Sequence, residues 1–149
     1  MSIKQPTNVA DGYLSLEWNN TFSLEQNQKL KKAQEFIDSE CIRLMKPYTP
    51  FRNGILEKSA TLGTVIGSGE IHQIAPYARY QYYGMLMVSS ITGSAYAKQG
   101  EKKVLTDVQL QHDKSKHPQA GPFWFERMKA EHKKDILDGA AKIMGGSSE

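Results

Sequence analysis

The chain has 149 residues, 39% of them hydrophobic, and a formal net charge of +3. That length supports one domain, residues 1–149, burying roughly 68–70% of its unfolded surface, and leaves no room for a second. The single cysteine, Cys41, excludes an intrachain disulfide and any multi-thiolate metal site. Eight basic residues face eight acidic ones up to Ala75, and eleven face eight after it, so the positive surplus is small and C-terminal. A dedicated nucleic-acid binder carries a denser basic stripe, because affinity grows with each phosphate neutralised. No apolar run approaches the roughly 18 residues of a spanning helix, and Met1–Pro6 lacks a signal-peptide core, so cytoplasmic synthesis without a membrane partner is expected.

Residues 1–12 and 146–149 read as flexible ends. Between Tyr13 and Trp18 the apolar Leu14, Leu16 and Trp18 alternate with Tyr13, Ser15 and Glu17, the period of a half-buried strand. Ser23 with Gln26 matches a capping box, and the apolar positions Ala33, Ile37, Cys41 and Leu44 then recur at helical spacing until Pro47. Tyr48–Gly54 is turn-rich. The β-branched Thr61, Thr64, Val65 and Ile66, the sequence Gly67-Ser68-Gly69 and then Glu70–Ile74 predict a hairpin over Ser59–Ile74, with His72 on its second strand. Pro76 suits the first turn of a short helix over Tyr77–Tyr83, closed by Gly84.

Met85–Val88 and Val104–Leu110 are strand candidates, and the polar Ser89–Lys103 between them is either a long loop or the tip of an extended hairpin. After a second polar stretch, 111–120, Pro122 at the first helical position and Gly145-Gly146 bracket a final helix. Its apolar face is Phe125, Met128, Ile136, Ala140 and Ile143. The fold class is therefore α+β, with an antiparallel sheet flanked by an N-terminal and a C-terminal amphipathic helix.

No chemical constellation accompanies these elements. His112 and His117 are five apart in a lysine-bearing loop, a spacing that makes no compact ligand pair, and no metal or cofactor is expected. No serine lies in a nucleophile elbow, and Gly63–Gly69 lacks a phosphate-loop lysine, so no catalytic residue is assigned. Aromatic density stands out instead. Four of the seven tyrosines fall within Ala75–Gly84, and Phe123-Trp124-Phe125 opens the last helix. Not all of these fit in one small core, and tyrosine, tryptophan and arginine are enriched at protein interfaces. The candidate subunit contacts are Tyr77, Arg79, Tyr80, Tyr82, Tyr83, Phe123 and Trp124, with the Phe123–Phe125 run mostly an anchor into the core.

Three segments carry a family resemblance. Pro50-Phe51-Arg52-Asn53-Gly54-Ile55-Leu56-Glu57-Lys58-Ser59 is similar to a P-x-x-x-G-x-L-x-x-S element, Pro76–Gly84 to P-Y-A-x-Y-x-x-x-G, and Gly121-Pro122-Phe123 to a late P-F element. In that order they resemble tailed-phage minor capsid and neck or tail-completion proteins, and Trp124–Lys129 looks like the branch from phages and prophages of Gram-positive bacteria. Gln81 and Gly84-Met85 depart from the glutamate and glycine-threonine pair usual in the family.

The resemblance implies a non-enzymatic virion protein, made in the bacterial host cytoplasm, that forms a homo-oligomeric ring at the head-to-tail junction. It further implies contacts with portal or connector, head-closure and tail proteins. DNA passes through such a ring, which makes Lys98, Lys102, Lys103, Lys114 and Lys116 candidates to face it. The competing reading is a small cytoplasmic DNA-binding module.

Overall fold

The computed structural model describes residues 20–146. The strand expected at 13–18 and most of both ends expected to be flexible lie outside the described residues. The elements are α1 (Asn20–Met45), α2 (Ile55–Gly63), α3 (Ala78–Tyr83), β1 (Met85–Ser89), β2 (Lys103–Gln109) and α4 (Trp124–Ile143). The architecture is α+β, with a two-stranded antiparallel sheet that lies between α1 and α4 in chain order while the two helices pack on each other.

α1 and α4 form the main helix pair, and they run antiparallel. Phe36 lies against Gly139, Lys29 near Gly145, and Tyr48, just past α1, against Glu131. A Cβ at Gly139 would come within 2.4 Å of the Phe36 ring, so this mid-helix glycine gives up helix propensity to let the ring in. The core joins Cys41, Ile42, Met45 and Tyr48 to Trp124, Met128 and Ile136 of α4, and to Leu56 and Ala60 of α2. Each large aliphatic side chain among them, such as Ile42, Met45, Leu56 or Met128, contributes about 1.5–3 kcal/mol when taken fully from water.

Several sequence expectations need correction. Ser23 and Gln26 lie inside α1 rather than capping it. Pro47 does end the regular helix, in a 3-10 turn at Lys46–Tyr48. The hairpin expected over Ser59–Ile74 is absent: Ser59–Gly63 lies in α2, and Glu70–Ile74, His72 included, has no strand partner among the described residues. Only Thr61 of the β-branched set lies in the helix, whereas Leu56, Ser59, Ala60 and Gly63 make a helical stripe at i, i+3, i+4 and i+7. Asn53 accepts the Ile55 N–H at 3.1 Å and Gly54 takes the left-handed cap, φ 80°, so the turn that starts α2 is built locally.

The other elements follow the sequence closely. α3 ends at Gly84 in the left-handed conformation, and β1 pairs with β2 as an extended hairpin. A bulge interrupts the register between Met85 and Met87, where the Thr106 hydroxyl donates to the Leu86 carbonyl at 2.7 Å. Pro122 is not the first residue of α4. The helix begins at Trp124, and Phe123 is its N-cap, with φ 52°.

Candidate subunit interface

The three sequence elements Pro50–Ser59, Pro76–Gly84 and Gly121–Phe123 converge on one side of the α1–α4 pair. A groove of about 660 Å³ runs between Phe51, Arg52 and Leu56 on one wall and Tyr77, Gln81 and His112 on the other. Beside it, a second of about 560 Å³ is bounded by Tyr83, Gly84, His112, Lys114 and Pro122-Phe123. Loop 111–120 is tied down by its histidines: His112 Nε2 donates to the Gln81 carbonyl at 3.1 Å, and His117 Nδ1 to that of Thr49 at 2.8 Å. His117 also packs on Phe51, ring centroids 5.2 Å apart. These contacts account for both histidines as tethers.

The two aromatic segments of the sequence form a single cluster. Tyr82 stands edge-on to Trp124 and to Phe123, with centroids at 4.8 and 5.4 Å, and Tyr83 reaches Phe123 at 5.9 Å. Trp124 is 1% exposed and belongs to the core, where its indole N–H donates to Gln73 Oε1 at 3.1 Å. The expected interface residues therefore divide. Trp124 is inside and Tyr82 half-buried, whereas Tyr83 and Phe123 are 47% and 42% exposed, and Tyr77 and Arg79 are also exposed. Tyr80 is half-buried with the Lys103 ammonium 4.7 Å above its ring.

The backbone beneath this cluster is strained. A bulky residue with φ 52° sits in a region that non-glycine residues rarely adopt, at a cost of about 1–3 kcal/mol. Phe123 is held there by its N–H to the Tyr82 carbonyl at 2.8 Å and by the Arg127 N–H to its own carbonyl at 3.0 Å. Gly84 is equally constrained: φ is 67°, and a Cβ would meet Pro122 Cβ at 2.9 Å. This turn aims an exposed ring outward from a rigid base.

Other residues that build the site carried no sequence signal. Arg127 holds the 119–122 segment by donating to the carbonyls of Gln119 at 2.7 Å and Pro122 at 2.8 Å, and its guanidinium lies over the Tyr48 ring. The Tyr48 hydroxyl donates to Glu131 of α4. That hydrogen bond, with burial second, raises the Tyr48 pKa above the ordinary phenol value. Burial and then the Glu126 charge raise that of Tyr82. Asp38, 3% exposed, accepts the N–H groups of Gly67 and Gly69 at 2.7 and 3.1 Å and so shapes the loop after α2.

The five lysines considered for DNA fall in two groups, Lys98, Lys102 and Lys103 on the hairpin and Lys114 and Lys116 in the following loop. None makes an ion pair among the described residues. Among the described residues, too, no group of three or more metal-ligating side chains is assembled, and no helix is long and apolar enough to cross a membrane.

A family model described as minor capsid protein matches residues 20–144, from the first described turn of α1 to the end of α4. The chain belongs to the minor capsid protein family. No curated protein and no solved structure matches it. As a phage minor capsid protein the chain is a structural component of the virion. All three converging elements lie within the matched residues, so the grooves and the exposed aromatic pair belong to the family domain itself.

Proposed function

We propose that this minor capsid protein acts at the head-to-tail junction of the virion, as a ring of identical subunits joining the DNA-filled head to the tail. The observation that carries the reading is the outward-facing pair Tyr83 and Phe123, set on a strained turn beside two open grooves. Large rings with few rotors and a rigid base suit a contact that must form with little loss of side-chain entropy. Tyr77 and Arg79 extend that contact surface. A protein that closes a ring needs neighbours of its own kind on two sides, and portal or connector, head-closure and tail proteins above and below.

For the DNA in the lumen we assign Lys114 and Lys116, whose loop is tethered to α3 and to Thr49 by its histidines and so presents their charge from a fixed position. Their contact with DNA is non-specific, through phosphates alone.

Electron microscopy of particles made without this chain tests the junction. The expected result is filled or leaking heads separated from tails, with density missing at the neck of any joined particle. Intact, tailed, infectious particles would overturn the reading. Replacing Lys114 and Lys116 with alanine should reduce DNA retention without reducing neck assembly, and unchanged retention removes the lumenal role.

A further inference from the structure

The described chain leaves two separate apolar surfaces uncovered. The first is built by the end of α2 and the loop after it: Leu62 is 76% exposed, Val65 72%, Ile66 44% and Ile74 61%. The segments that bear these side chains are held together, since the Thr64 hydroxyl accepts the His72 N–H at 3.0 Å and Ile74 packs against Gly63, where a Cβ would approach it to 2.6 Å. Asp38 of α1 pins the base of that loop through Gly67 and Gly69. The second surface is the hairpin. Val104, Leu105 and Val108 of β2 are exposed at both odd and even positions, so β2 is open on both faces while β1 is half-buried, and Ile91 and Tyr96 stand out at the tip. A lone two-stranded hairpin has marginal stability without a packing partner. Contiguous exposed apolar surface on a folded protein marks an interaction site.

We infer that the hairpin of one copy docks on the Leu62–Ile74 patch of the next copy. This deepens the proposed ring and rests on it, naming a contact between copies besides the Tyr83–Phe123 surface. The two surfaces use different elements. The patch lies over α1 at Gln34–Asp38, whereas the hairpin springs from Gly84 near the junction of Tyr48 with Gly121, on the order of 15 Å further along α1 at 1.5 Å per residue. A contact between unlike surfaces is heterologous, the kind that closes rings when its rotation permits.

Charge supports the pairing. The hairpin carries Lys98 and Lys102 in the open, while at the patch the Glu70 side chain is 71% exposed, with His72 Nε2 2.9 Å from its carboxylate, and Glu35 lies beneath Gly67. Glu70–Ile74 also reads as a strand in sequence and finds no strand partner within the described chain, as expected of a segment whose partner is another subunit.

The test uses the full chain and two double variants, Val65→Asp with Ile74→Asp on the patch, and Leu105→Asp with Val108→Asp on the hairpin. All four positions are exposed, and circular dichroism with thermal melting checks that each variant folds. Sedimentation velocity should show the wild-type chain self-associating and each variant associating at least about tenfold more weakly. An equimolar mixture of the two variants has one intact contact and should form dimers and nothing larger.

A mixture that stays monomeric shows that the two surfaces do not meet, and overturns the inference. So does a patch variant that assembles normally but melts earlier, since the patch is then covered within one chain. A wild-type chain that is monomeric even at high concentration also overturns it. Neck density in virions would still stand in that case, so the junction reading is judged separately.

Discussion

Trp124 and Tyr82 meet edge to face, ring planes at 88° and centroids 4.8 Å apart, and this contact joins the start of the last helix to the tyrosine helix 42 positions earlier in the chain. It fixes the base from which Tyr83 and Phe123 project. Replacing Trp124 with alanine should cost about 3–5 kcal/mol, since the side chain is 1% exposed and fills the core beside Met128. A double-mutant cycle with Tyr82→Ala should return a coupling of about 0.5–1.5 kcal/mol in urea unfolding.

Gly84 permits the close approach of α3 to Pro122. Gly84→Ala places a Cβ 2.9 Å from Pro122 Cβ at a left-handed residue, so a loss of about 1–3 kcal/mol is expected. The same substitution at Gly93, left-handed but with nothing within 4 Å of its Cβ, should cost about 1 kcal/mol, the backbone penalty alone. Equal losses at the two positions would show that the contact with Pro122 carries no weight.

Asp38 serves the loop rather than the solvent. Asp38→Ala removes the acceptor for two backbone N–H groups and should destabilise the chain by about 2–4 kcal/mol. Hydrogen exchange should accelerate first at Gly67 and Gly69. Protection unchanged at those amides would mean that the glycine turn holds itself.

Alkaline pH should weaken the fold. Both Tyr48 and Tyr82 have raised folded-state pKa values, Tyr48 through its hydrogen bond to Glu131 and Tyr82 through burial. The folded chain therefore holds these protons more tightly than the unfolded one. Their contribution is full below the unfolded phenol pKa of about 10 and is lost as pH rises through the folded values. Thermal melting should fall above about pH 10, and Tyr48→Phe should flatten part of that fall.

Cys41 should be inert in the native state. It is 8% exposed, and its thiol pKa is raised by burial first and then by the charges of Asp38 and Glu40. A thiol reagent such as an aromatic disulfide should label it only on unfolding, and rapid labelling of the native chain would place α1 away from α4.

Much of this organisation was legible before the structure. α1 and α4 show in the helical recurrence of apolar residues, α3 in the Pro76–Gly84 bracket, and the extended hairpin in two short apolar runs around a polar tip. The α2 segment misleads because Thr64, Val65 and Ile66 suggest a strand. The helix is set by Asn53-Gly54 upstream and by the small residues Ser59, Ala60 and Gly63 that let it lie close to its neighbours. The start of α4 was displaced by two residues, because Pro122 is held by the turn at Phe123 rather than by the helix.

The sequence by itself determined the class of the protein: its local periodicities set most of the α+β elements, and three short elements in order carried the resemblance to minor capsid proteins. The tertiary structure alone decided which aromatic rings are spent on the core and which stay exposed. Tyr82 and Tyr83 are adjacent in sequence and identical in chemistry. Only the packing of Trp124 against one side of α3 turns Tyr82 inward and leaves Tyr83 beside Phe123 in solvent, because burial depends on contacts between segments that no local pattern encodes.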